Sequence, residues 1–135
     1  MDLAQPDDKL DEHALAPLRG LLNDQISALN DDLEKASTQK DIDAIQAVQN
    51  GLAAKATALT GLSIQLKTGE AKITAEHIQS AVDAAEEVIN KVKAVKAKLA
   101  LLGAVIDFAA AVLTGHGQAV VGAAVKLKNA LSKGD

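Results

Sequence analysis

Residues 99–113 read LALLGAVIDFAAAVL. Wound as a helix at about 100° per residue, the large side chains Leu99, Leu101, Leu102, Val105, Ile106, Phe108, Val112 and Leu113 cover about half the circumference. The rest is slim: Ala100, Gly103, Ala104, Ala110, Ala111 and Thr114, with Asp107 as the single charge. A helix without a charged side is buried against more than one neighbour. Its slim side lets a second helix approach closely. This stretch therefore predicts an all-α chain with its apolar segment held among other helices.

The same stretch continues through Thr114-Gly115-His116-Gly117, a sharp turn, into a helix from about Gln118 to Ser132. Val120, Ala124, Leu127 and Leu131 form its inner stripe. Thus 99–125 is an apolar helical hairpin with one charge, Asp107. Lysines stand at both of its bases: Lys91, Lys93, Lys96 and Lys98 before it, Lys126 and Lys128 after it. This layout is similar to the apolar hairpin of α-helical pore-forming toxins, in arrangement only, since no motif residues match. It implies lysines placed to meet anionic lipid heads or an acidic partner. Length argues against spanning: the first arm covers roughly 22 Å and the second about 12 Å, short of the ~30 Å hydrocarbon layer. Closure of the chain's own core is the simpler reading of the hairpin, with its lysines solvated.

Upstream, the helix that enters the hairpin has no breaker from Ala75 to Leu113 except Gly103. The expectation is one long third helix of roughly 60 Å. Its first half carries a narrow stripe of Ile78, Val82, Ala85, Ile89 and Val92, with Asp83, Glu86, Glu87 and Lys93 opposite. Glu87 and Lys91 are placed for an i,i+4 pair. Thr74 reads as its N-cap, with Ile73 and Ile78 as a hydrophobic staple. Before it, Lys67-Thr68-Gly69-Glu70 reads as a turn in which Gly69 takes the left-handed position.

The first half of the chain supplies two more helices. Leu15, Leu18, Leu22, Ile26, Leu29 and Leu33 share one face of a helix expected from about Asp8 to Ala36, interrupted by Pro17. Ser37 and Thr38 end the gap, and Thr38 with Asp41 is close to a capping box. Ile45, Leu52, Leu59 and Leu66 then recur every seven residues along a helix expected to reach Leu66, with Gly51 inside it and a local break at Thr60-Gly61. The predicted fold is an all-α antiparallel bundle of three to four helices with coiled-coil-like packing. Residues 1–8 are expected as a tail and 9–135 as a single domain.

Composition narrows function mainly by exclusion. There is no cysteine and a single aromatic, Phe108. Disulfide scaffolds, thiolate zinc sites, cysteine nucleophiles and aromatic stacking platforms for single-stranded nucleic acid are out. Net charge is −4, spread as 11 acids and 4 bases in residues 1–50 against 7 acids and 10 bases in 51–135. The two halves attract each other, and no dense basic face for nucleic acid arises. The acidic start lacks a basic patch followed by an apolar stretch, so the default expectation is cytoplasmic, with secretion without a cleaved signal left open.

Three histidines, His13, His77 and His116, are scattered and fit no metal-ligand spacing. His77 sits near a helix start, where a structural role is expected. His116 lies in the Gly115–Gly117 turn, either as a solvated turn residue or as a pH-sensitive hinge, the former favoured. Gly115-x-Gly117 lacks the strand, third glycine and Lys-Ser/Thr of a phosphate loop. Asp107 is expected to reach water, since an unpaired buried carboxylate is costly. No catalytic residue, metal site or cofactor is assigned.

The expectation is a non-enzymatic helical-bundle protein that binds a protein partner or a second copy through the apolar face of the 99–125 hairpin. That face comprises Leu99, Leu101, Leu102, Val105, Ile106, Phe108, Val112 and Leu113. The alternative is a membrane-active protein that inserts the hairpin. An enzyme or ligand carrier with a pocket between helices is a weaker third reading.

Overall fold

The computed structural model describes residues 8–66 and 69–133. The order is β1 (Asp8–Leu10), α1 (Glu12–Lys35), α2 (Gln39–Leu59), β2 (Ile64–Leu66), α3 (Glu70–Lys91), α4 (Val95–Leu113) and α5 (Gly117–Lys133). Among the described residues the fold is all-α apart from one two-stranded sheet, with five helices in place of the three to four expected. The tail expected over residues 1–8 lies outside the described residues except for Asp8, as do Lys67 and Thr68 of the expected turn.

The first two helix starts have a local cause. Asp11 caps α1 by accepting from the Ala14 N–H at 3.0 Å. Pro17 lies inside α1, and the helix runs on past it to Lys35. Thr38 caps α2 as expected, its hydroxyl accepting from the Asp41 N–H at 3.1 Å. That helix ends at Leu59 rather than Leu66. Gly61 follows with φ +71°, a left-handed position that turns the chain out of the helix. The freed residues Ile64–Leu66 become β2, alternating buried, exposed, buried, and pair antiparallel with β1 in the register Leu10 opposite Ile64.

Two boundaries of the long third helix are corrected. It starts at Glu70 with Gly69 as N-cap, not at Ala75 with Thr74 as N-cap. Gly69 takes the left-handed conformation at φ +89°, but it opens α3 instead of closing α2. Thr74 lies within the helix and is buried, while Ile73 is exposed, so no staple forms. The second correction is larger. The chain leaves the helix over residues 92–94, with Val92 and Ala94 in extended backbone, and α3 and α4 are separate. Gly103, the suspected soft point, is inside α4.

The break has a packing cause. A helix running on from Glu70 to Leu113 would be about 66 Å long, beside an α1 of about 36 Å. Its apolar second half would project into water. Broken at 92–94, the chain is redirected, and Leu101, Leu102, Val105, Phe108, Ala109 and Val112 are buried. Val92 and Val95 flank the break and pack against the core. Burial of each large side chain is worth roughly 1.5–3 kcal/mol. That far exceeds the loss of the few helical hydrogen bonds at the break, about 1 kcal/mol each.

Contacts between helices form a closed circuit: α1 packs on α2, α2 on α4, α4 on α5, α5 on α3 and α3 on α1. One hydrophobic cluster extends through all five helices and both strands. The inner stripe expected for α5 (Val120, Ala124, Leu127 and Leu131) is buried in it. The α4–α5 turn rests on the small sheet: a Cβ on Gly115, whose φ is +77°, would lie 3.4 Å from Ile64 Cγ2.

Candidate functional site

The α4–α5 hairpin presents two very different sides. Leu101, Leu102, Val105, Phe108 and Val112 are buried, and Leu99, Ile106 and Leu113 are half-buried against the same core. All eight residues proposed from sequence as an interaction face are thus packed within the chain. The face left toward solvent is the slim one. A groove of about 260 Å³ runs along it, walled by Ala104 and Ala111 of α4 and by Ala123 and Ala130 of α5. Phe108 and Leu127 form its floor, and Asp107 and Lys126 flank it. Gly103 and Gly122 have nothing within 4 Å of where a Cβ would sit.

Asp107 and Lys126 are both exposed, and no ion pair or hydrogen bond engages either among the described residues. Both were legible in the sequence, Asp107 as a solvated charge and Lys126 as a base-of-hairpin lysine. What the sequence hid was that Ala123 and Ala130 of α5 join the slim side of α4.

The six lysines divide. Lys91 pairs with Glu87 at 3.3 Å, the expected i,i+4 contact. Lys98 pairs with Asp32 of α1 at 3.1 Å, with both side chains mostly buried. Lys128 donates to Ser80 Oγ of α3. Lys93, Lys96 and Lys126 are exposed without such partners among the described residues. The lysines therefore form no single patch: three of them tie helices or turns together.

No family model, curated protein or solved structure matches this chain.

His13 and His116 are exposed and His77 is half-buried. Among the described residues, no group of three His, Asp or Glu side chains is placed to hold a metal ion. Nor is any described helix long and apolar enough to cross a membrane. His116 follows Gly115 in the turn, and its N–H donates to Thr114 Oγ1 at 3.3 Å. Behind it, the Glu70 carboxylate lies against the start of α5. A Cβ on Gly117 would come within 3.1 Å of Glu70 Oε1. Glycine at 117 is therefore a close-approach position that lets an acid sit at a helix N-terminus, where the dipole favours it.

Proposed function

We propose that this chain is a non-enzymatic helical-bundle protein that associates with a second copy of itself through the outer groove of the α4–α5 hairpin. The observation that carries the reading is the unpaired, exposed pair Asp107 and Lys126 on the two flanks of an alanine-walled groove. Two copies related by a two-fold axis would each set Asp107 against the other's Lys126, the self-complementarity of an isologous interface. Alanine walls favour this, because helix axes pack closest, near 8 Å, where side chains at the contact are small.

The architecture in this reading is an up-and-down bundle in which successive helices reverse direction. Gln49 of α2 donates to the Ile26 carbonyl and Asn30 Oδ1 of α1, while Asp32 and Lys35 of α1 share a cavity with Ala44 and Ile45 of α2, which supports opposite runs for that pair. The three-residue connection between Leu113 and Gly117 supports the same for α4 and α5. Two reversals return the chain to its starting direction. Gly51 against Ile106, with Ile45 near Leu99, accordingly favours a parallel run of α2 and α4. Thr74 near Gly117 and Ser80 near Lys128 favour the same for α3 and α5. Coiled-coil-like packing between the antiparallel pairs is part of the proposal.

Light scattering after gel filtration, over a range of concentrations, tests it. The wild type is expected to shift toward twice its 13.9 kDa mass as concentration rises. Asp107→Lys or Lys126→Asp alone should weaken the dimer, and the double exchange should restore it. A wild type that stays monomeric rejects self-association and leaves a different protein as the occupant. A dimer indifferent to both single exchanges rejects this face.

A further inference from the structure

At the opposite end of α4 the chain builds a second concavity, independent of the hairpin groove. Only Ala36–Thr38 separate α1 from α2, so the end of one and the start of the other lie together. The break at Val92–Ala94 delivers the first turn of α4 to the same place. Between them is a cavity of about 490 Å³, within the roughly 300–1,000 Å³ range of small-molecule sites. Its apolar lining comes from Ala36, Ala44, Ile45, Val95 and Leu99.

The mouth is cationic. Lys35, Lys40 and Lys96 line it, and none has an ion pair or hydrogen bond among the described residues. Of the two acids present, Asp32 is already engaged by Lys98, leaving Asp41 alone against three ammonium groups. Two of the three lysine positions are costly ones, while Lys35 ends α1, where a positive charge is favoured. Lys40 is the second residue of α2 and Lys96 the second of α4, where the helix dipole disfavours a positive charge. The first turn of α4 also has no acid and no side-chain cap. An anion at the mouth relieves these costs together.

We propose that this cavity binds a straight-chain fatty carboxylate, its alkyl chain against Ile45, Val95 and Leu99 and its head among Lys35, Lys40 and Lys96. A neutral apolar ligand would leave the lysines unused. A nucleotide would need a stacking surface, and the chain's one aromatic, Phe108, is buried elsewhere.

Calorimetric titration with dodecanoate tests the site, using dodecanol and anionic phosphatidylglycerol vesicles as the other arms. Saturable one-to-one binding of dodecanoate below its micellar concentration is expected, with dodecanol at least about tenfold weaker, a difference of about 1.4 kcal/mol. The double variant Lys40→Glu/Lys96→Glu should lose at least as much affinity. Its circular dichroism should remain helical, because acids suit both helix starts. Ala44→Trp should block the cavity from the apolar side. The proposal is overturned by absence of saturable binding, by equal affinity for dodecanol, by binding indifferent to both variants, or by association only with vesicles. These outcomes are separate from the mass measurement, so this site and the hairpin groove stand or fall independently.

Discussion

Lys98 Nζ lies 3.1 Å from Asp32 Oδ2, joining the first turn of α4 to the last turns of α1 across 66 residues of sequence. Both side chains are about one-sixth exposed, at 17% and 16%. An ion pair this sheltered is worth most as a set. Removing one partner strands the other in poor solvent, while removing both does not. Lys98→Ala or Asp32→Ala should each cost about 1–3 kcal/mol. Asp32→Leu/Lys98→Met should cost less than either. Urea unfolding followed by circular dichroism at the helix band measures all three, and a double variant worse than the singles would refute the pairing.

Gln25 offers the reverse experiment. It lies on the buried stripe of α1 and is 6% exposed, and its Oε1 has no hydrogen-bond partner. A buried acceptor without a donor costs about 1–3 kcal/mol. Gln25→Met keeps the length of the side chain and removes that penalty. Its urea midpoint should rise by the equivalent of about 1 kcal/mol at unchanged slope. A fall in the midpoint would mean that the amide is satisfied in solution.

Gly51 and Ile106 make a third pair. A Cβ on Gly51 would meet Ile106 Cδ1 at 2.9 Å. Gly51→Ala gains up to about 1 kcal/mol of helix propensity and loses part of it to displacement of that methyl. In the Ile106→Val background the obstructing methyl is gone, so the same substitution should be plainly stabilising. A coupling energy of at least about 0.5 kcal/mol between the two positions is expected from the double-mutant cycle.

Phe108 and Val125 separate core from surface within the hairpin. Phe108 is 2% exposed and Val125 is 50% exposed. Phe108→Ala should destabilise by about 3–5 kcal/mol and Val125→Ser by no more than about 0.5 kcal/mol. Thermal melts of the two variants, run side by side, decide it. A comparable loss from Val125→Ser would place that residue in an interface.

Much of the helical content could be read directly. The seven-residue recurrence of Ile45, Leu52 and Leu59, the Thr38 cap and the stripe Val120–Leu131 are local patterns, and local physics places them. The failures share one cause. At 92–94 neither glycine nor proline marks the break, and it exists because distant helices offer cover to residues 101–112. Likewise Leu66 continues the seven-residue repeat of a helix, yet it pairs with Asp8, and Ile64 with Leu10, more than fifty residues earlier, so that 64–66 is a strand. The candidate site was half legible. The slim side of residues 99–113 was visible as a helical projection, but its joining with Ala123 and Ala130 required the turn to be folded.

The bend at Val92–Ala94 has a topological consequence. No residue there compels it, so the covering helices α2 and α5 hold α4 in place. If the link straightened, the α4–α5 unit would leave its own chain with its apolar surface intact, ready to fill the identical vacancy in a neighbour. Mutual exchange of hairpins would rebuild the buried contacts of α4 and α5, with this three-residue stretch as the hinge of the domain swap.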